Sequence, residues 1–285
     1  MEAMADPATE RTDSEKPHIS NTQIDMYCRC PAQWEFRYVK GEIVPPGIAL
    51  LQGTGYHRGA ETNFRQKIDS HLDLPANQIV DAAVAAFDAE TAGGYTLSED
   101  EATIGPAKVL GEARDKVAQI AAVHASEQAP DYQPVAVEHR QLIVFPNATH
   151  DLLTVTDLRD DVGRVTDFKT AGKKKPEASI HCDLQLTIYA AAFKIETGEM
   201  PSEVRQDVIT KAKQPARQLL RSERTVADFQ ALLHRVNAIL AAIQSGNFPP
   251  CSPGGWQCSS RFCGYFRSLC PYVNSEREAA ARKDE

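Results

Sequence analysis

Leu153-Thr-Val-Thr-Asp157-Leu-Arg-Asp-Asp-Val-Gly-Arg-Val-Thr-Asp167-Phe-Lys169-Thr170 decides how the rest of the chain is read. Its two β-branched runs, Leu152 to Arg159 and Arg164 to Lys169, suit strands, and Asp160-Asp161-Val162-Gly163 between them suits a hairpin turn. Alternation along a strand puts Asp167 and Lys169 on one face and Phe168 on the other. Cross-strand pairing brings Asp157 onto the face of Asp167, so that two carboxylates and an ammonium converge. Carboxylate oxygens are natural ligands for Mg²⁺, which takes the rest of its shell from water and phosphate. Such an ion polarises a scissile phosphate and lowers the pKa of a bound water. Lys169 is placed to orient that water, help deprotonate it, or offset charge in the transition state. The plain alternative is a surface hairpin with three solvated charges, since D…DxK on its own is short and common.

Working outward, Pro134 to Phe145 is a further strand, followed after the central stretch by a helix from about Asp183 to Ile195. A strand around Val204 to Thr210 and a long helix from about Val226 to Gln244 complete the C-terminal half. Upstream, Ser20 to Lys40 is largely helical, opened by a Ser or Asn cap, with Ile24, Tyr27 and Trp34 along one side. Pro31 kinks or interrupts it. Gly53-Thr-Gly55 reads as a turn before a helical stretch that carries His57. Ala76 to Ala92 and Pro106 to Gln128 are periodic, Ala-rich helices, with Pro106 suited to a first turn. Strands flanked by helices predict an α/β core, with the early helices as an added lobe.

Composition sets the limits. The 285 residues suffice for one large domain or two small ones, with 42% hydrophobic and 25% charged residues. No run of about 18 apolar residues predicts a membrane span, and the polar N-terminus lacks the apolar core of a signal peptide, so a cytoplasmic location is expected. The net charge of −8 argues against a broad basic nucleic-acid footprint. Half of it lies in two polar tails, with five acids and two bases in Met1–Lys16 and four acids and three bases in Ser275–Glu285. No GxxxxGK[ST] phosphate loop is present, so a helicase motor, if one is used, belongs to another chain. Seven cysteines in a reducing compartment, four of them between Cys251 and Cys270, suggest metal or cluster ligation rather than disulfides.

Taken in order, these landmarks form a set: Tyr27 through Cys30-Pro31 followed by Trp34, Phe36 and Tyr38; Gly53-Thr-Gly-Tyr-His57; Asp157; Asp167-Phe-Lys169; Gln185-Leu-Thr-Ile-Tyr189; and the terminal cysteines. The set, spanning about Ile19 to Tyr272, resembles the PD-(D/E)XK nuclease superfamily, and within it the RecB-like exonuclease branch. The resemblance implies a restriction-endonuclease-like core of a central mixed sheet flanked by helices, with an N-terminal helical lobe and a C-terminal cysteine-rich segment. The expected layout is a single nuclease domain over 18–273, with the lobe at about 18–130, the catalytic core at 131–248 and the cysteine-rich segment at 249–273. Disordered tails are expected over 1–17 and 274–285. The resemblance makes His57, Asp157 and Asp167 ligands for Mg²⁺ or Mn²⁺, with Glu138 a further candidate, and Lys169 the catalytic lysine. Gln185 and Tyr189, one turn apart on one helix face, would hold DNA or support the metal-bound groups. One departure is Thr154, where the family commonly has a glycine before the first aspartate.

In iron–sulfur members of the branch, three C-terminal cysteines join a distant N-terminal one. By that resemblance Cys30, Cys258, Cys263 and Cys270 would hold a [4Fe–4S] cluster, with Zn²⁺ as the alternative and Cys28 and Cys251 as spare candidates. The spacing C-x4-C-x6-C is looser than that of many members. Ligands from both ends of the chain would make the metal a structural staple. Cys182 reads as a small buried residue. Lys173-Lys174-Lys175 either lie in a solvated loop or contact phosphates, and Arg58, Lys211 and Lys213 extend the same patch. The reading is a metal-dependent exonuclease acting on single-stranded DNA ends in recombination, repair or phage DNA processing, with a separate helicase or recombination protein as a possible partner. The alternatives are a non-catalytic DNA-binding subunit that keeps the fold, and a structural metalloprotein without nucleic-acid affinity.

Overall fold

The two β-branched runs form neighbouring antiparallel strands, and the rest of the sheet grows from them. The computed structural model describes residues 16–145, 148–252, 254–260 and 262–273. The expected tails therefore fall almost wholly outside the described residues. In chain order the elements are β1 (His18–Ser20), α1 (Asn21–Arg29), α2 (Pro31–Tyr38), α3 (Ile48–Ser70), α4 (Ala76–Ala92), α5 (Glu99–Ile104) and α6 (Pro106–Val123). Then follow β2 (Pro134–Ile143), β3 (Asp151–Asp160), β4 (Arg164–Ala171), α7 (Leu184–Thr197), β5 (Glu203–Thr210), β6 (Arg217–Ser222) and α8 (Val226–Gln244). The sheet has six strands in the order β1-β3-β4-β5-β6, with β2 also on β3. It is mixed: β1–β3 and β4–β5 are parallel, and the other pairs antiparallel.

Local chemistry explains the boundaries. Ser20 caps α1 in a capping box with Gln23. The helical run breaks at Cys30, which is extended, and Pro31 opens α2 at a position where its missing N–H costs nothing. Between β3 and β4, Asp160 accepts hydrogen bonds from the amides of Val162 and Arg164, and Gly163 supplies the positive φ of 75° that closes the turn. Short α5, with its own Ser98–Glu101 capping box, and strand β6 were not anticipated.

Two expectations are corrected. Gly53-Thr-Gly55 is not a turn but lies inside α3, where Gly55 serves packing. A Cβ at Gly55 would meet the Ala83 carbonyl at 2.8 Å, and one at Gly59 would meet the Ala83 Cβ at 2.8 Å, so these positions let α4 lie close. Cys182 is exposed rather than buried, at the end of a 3₁₀ turn that leads into α7.

Helices cover both sheet faces. Helix α7 is buried continuously from Leu186 to Phe193 and packs with β4, β5 and β6 through Val165, Val204 and Leu220. On the opposite face, Phe168 enters a core of Tyr56, Phe64, Tyr132, Leu158 and Ile209. It stacks on Phe64 at 5.4 Å and meets Tyr132 and His124 edge-on. Alternation along β4 thus anchors Phe168 on one side and leaves Asp167 and Lys169 on the other. Among the described residues one helix, α8, is by length and composition apolar enough to cross a membrane. Its Leu232, Val236, Ile239 and Leu240 are buried with Ile24, Tyr27 and Ile188 of α1 and α7, and it carries Asp228 and Arg235.

Candidate active site

The site forms where β3 and β4 part. Their ladder consists of two residue pairs, Leu158↔Thr166 and Arg159↔Val165. One step further the Phe168 amide donates to Asp157 Oδ2 at 2.8 Å, so a carboxylate replaces the next backbone partner. This wedge opens room between the strands, and three other elements fill it.

Helix α3 delivers His57, whose Nδ1 lies 3.6 Å from Asp157 Oδ2. Strand β2 delivers Glu138, a non-glycine residue at φ 48°. That left-handed conformation is strained for a residue with a Cβ and is the kind of distortion that collects at functional sites. Ligand atoms of His57, Glu138 and Asp157 all lie within 4.8 Å of one another. They line a cleft of about 520 Å³ with Gly53, Lys169, Thr170 and Lys211. Burial pushes the Glu138 carboxyl up to about 7, and the Asp157 and Glu61 charges push the same way. An imidazole and two carboxylates, one of them reluctant to ionise unaided, fit a divalent cation that prefers oxygen ligands.

Asp167 is fully buried beside this trio. Its carboxylate pairs with Lys169 Nζ at 2.8 Å and accepts from Gln206 Nε2 at 2.9 Å. Burial and the nearby Asp157 charge raise its pKa, while Lys169 opposes them. For Lys169, burial disfavours the charge, but Asp167 and Asp157 outweigh it and hold the ammonium above the usual lysine range. Lys169 Nζ also donates to Gln185 Oε1 at 2.9 Å. Gln185 Nε2 donates to the Tyr189 hydroxyl at 2.6 Å, and that hydroxyl donates to Asp157 Oδ1 at 3.2 Å. The four side chains therefore form a chain of hydrogen bonds from the lysine back to the first aspartate. Desolvation raises the Tyr189 pKa well above its ordinary value, so its phenol stays a donor.

The structure thus brings together His57, Glu138 and Asp157, and beside them Asp167, Lys169, Gln185 and Tyr189. The lysine run divides. Lys173 and Lys174 are exposed. Lys175 turns inward, its Nζ 2.6 Å from Gln206 Oε1 and its backbone clamped on both sides by Gln218. Gln206 is the residue that sequence reasoning missed: it binds Asp167, Asp183 and Lys175 at once. Only the pairing of Asp167 with Gln206 on parallel strands reveals it.

At the other end of the molecule, Cys30, Cys251, Cys258, Cys263 and Cys270 line one cavity. The chain ends are joined there by ordinary packing as well. Trp34 stacks on Phe248 at 5.6 Å, the Ala32 amide donates to the Pro249 carbonyl, and Phe36 meets Tyr265 at 5.3 Å. The Cys251 amide points to Cys30 Sγ at 3.4 Å. Burial raises the thiol pKa of Cys263 and of Cys270, and backbone amides at Tyr265 and at Tyr272 and Val273 partly offset this. Burial, and after it the neighbouring Cys30 and Cys258, push the Cys251 thiol up to about 12. Among the described residues no three of these sulfurs lie within 4.8 Å of one another. Cys28 is exposed.

Known proteins bear on this arrangement. A solved structure of a candidate exonuclease from Eubacterium rectale superposes with a TM-score of 0.54, at 12% identity, over 96% of this chain and 97% of that one. That likeness shows the fold, a restriction-endonuclease-like mixed sheet flanked by helices. The solved structure of SSO0001 shares 15% identity over 90% of this chain and 87% of that one, with a TM-score of 0.42, too low to bear on the fold. No curated protein matches. A model of the PD-(D/E)XK nuclease superfamily matches residues 18–271, a span that takes in every side chain of the cleft. The chain belongs to the PD-(D/E)XK nuclease superfamily.

Proposed function

We propose that this protein is a Mg²⁺- or Mn²⁺-dependent exonuclease that hydrolyses phosphodiester bonds at single-stranded DNA ends, in the manner of the RecB-like branch. The observation that carries this reading is the convergence of His57, Glu138 and Asp157 beside the Asp167–Lys169 ion pair. His57, Glu138 and Asp157 hold the cation, and Asp167 completes the set. The Asp157 charge disfavours ionisation of the buried Asp167, a cost that a nearby cation would relieve. When bound, the cation supplies Lewis-acid polarisation of the phosphate and a more acidic water.

Lys169 enters as an ammonium. It offsets charge on the phosphate and is aimed by Asp167 and Gln185. Tyr189 and the Phe168 amide fix the two oxygens of Asp157, so the carboxylate meets substrate already oriented. Lys173 and Lys174 meet phosphates at the rim, while Lys175 supports Gln206 from within.

The cysteines that line one cavity, Cys30, Cys258, Cys263 and Cys270, are the ligands of a [4Fe–4S] cluster on this reading, with Zn²⁺ on the same thiolates as the alternative. Anaerobically purified protein should be brown, absorbing near ~400 nm, whereas colourless protein with stoichiometric zinc would reverse the assignment.

The test of the nuclease reading is release of nucleotides from single-stranded DNA by wild type and by Lys169→Ala. Full activity in the variant would contradict the role given to the lysine. A protein that binds DNA but cleaves it with neither metal would instead be a binding subunit of a larger nuclease or helicase complex.

A further inference from the structure

Lys211 sits oddly for a cation. It directly follows β5 and lines the same cleft as His57, Asp157 and Lys169. Its backbone amide donates to the Ala171 carbonyl at 2.6 Å, and Lys116 Nζ holds the next carbonyl, Ala212, at 2.7 Å, so its position is fixed. Its ammonium donates to the Ala49 carbonyl at 3.1 Å, and among the described residues it has no carboxylate partner. Burial alone lowers its pKa, and no nearby acid offsets this. Ala49 belongs to the first turn of α3, a turn without acidic residues.

A half-buried ammonium without a carboxylate partner and an open cleft share one remedy, which is an anion. Ala49 and His57 stand eight residues apart on α3, about 12 Å along its axis. One phosphate group does not span that distance, so an anion at Lys211 is separate from one at the His57–Glu138–Asp157 trio.

We propose that Lys211 forms a second phosphate subsite that seats a phosphate of the bound strand other than the one being cleaved. The subsite rests on the nuclease reading of the cleft and extends it. Lys211 is a substrate-positioning residue: it grips the strand at a fixed distance from the reacting phosphate.

The test is binding of fluorescently labelled single-stranded oligonucleotides to the full-length protein by anisotropy. Ca²⁺ replaces Mg²⁺, a parallel series contains EDTA, and salt is varied throughout. Lys211→Gln should weaken binding roughly three- to tenfold and lower the slope of log K against log[salt] by about 0.7, the value for one phosphate contact on a single strand. Lys211→Arg should keep both affinity and slope. In Mg²⁺ turnover the loss should fall on KM, with kcat within about twofold of wild type. Oligonucleotides ending in a phosphate or a hydroxyl distinguish the source. A Lys211 effect confined to phosphorylated ends assigns the subsite to a terminal phosphate, and one independent of the end assigns it to an internal phosphodiester. Unchanged affinity and slope in Lys211→Gln, or no DNA binding by wild type, overturns the proposal. Should wild type bind DNA yet never cleave it, the nuclease reading fails while the affinity test of Lys211 still decides the subsite. Equal melting temperatures of the variants establish that folding is not the cause.

Discussion

The two candidate metal centres are built in opposite ways. Around Asp157 the protein has settled its geometry in advance: strands and helices deliver the ligands, and Tyr189, Gln206 and backbone amides satisfy their oxygens. Of the five clustered cysteines, Cys30 sits at the junction of α1 and α2, and the other four lie in turns and irregular chain after α8. On the proposed reading the first centre is a site that waits for an ion, and the second a closure to which an ion or cluster adds. A catalytic cation is exchangeable at small cost to the fold, whereas a cation or cluster on thiolates from both ends of the chain is part of the fold.

The largest expected effect breaks the second centre. Cys258→Ser should release the closure between α1 and the C-terminal segment, a loop of over two hundred residues, at a cost of about 5 kcal/mol in chain-entropy terms. Denaturant unfolding of wild type and variant measures it. Adding EDTA to remove Mg²⁺ from the first centre should by contrast shift the melting temperature by no more than about 3 °C. Similar shifts from both manipulations would erase the distinction.

Next comes chemistry at the first centre. Asp157→Asn keeps the shape and an acceptor for the Phe168 amide but weakens the ligand. Nucleotide release should fall on the order of 10³-fold with near-normal melting. A large loss of stability would instead make Asp157 a structural acceptor.

The third effect is on pH. Glu138 has a raised folded-state pKa, so the stability that its neutral form contributes is fully present below the ordinary glutamate range and is lost as pH rises toward about 7. Cation binding requires the ionised form. Mn²⁺ affinity, followed by calorimetry, should therefore rise about tenfold per pH unit up to about pH 7 and then level off. Glu138→Gln should bind more weakly and show a flatter profile. The smallest effect is expected from Tyr189→Phe, which leaves Asp157 Oδ1 without its donor at a cost of about 1 kcal/mol in stability. Activity should fall roughly tenfold, with kcat carrying the loss.

Much of this was legible in the sequence because the relevant patterns are local. The alternation that separates Phe168 from Asp167 and Lys169, the i, i+4 spacing of Gln185 and Tyr189, the capped start of α1 and the first-turn proline of α6 are short-range consequences of backbone geometry. Contacts between distant segments were not legible. Gln206 joins the site only through parallel pairing of β4 and β5; Glu138 was already a candidate ligand by the resemblance, but its positive φ in the middle of β2, where a strand-former would be expected, was not legible. The glycines before His57 were misread for the same reason. A turn is the usual use of Gly-Thr-Gly, and only the approach of Ala83 on α4 shows that helix packing needs Gly55. Lys175 looked like its two neighbours, and the tertiary contact to Gln206 sets it apart.

The most direct measurement is the release of acid-soluble nucleotides from single-stranded DNA by the purified full-length chain, with Mg²⁺ or Mn²⁺ and with EDTA. Steady release from ends with either cation, abolished by EDTA and restored by re-adding the metal, is the predicted result. No release with either cation, from protein shown to be folded and to bind DNA, would contradict a metal-dependent exonuclease built on Asp157, Asp167 and Lys169.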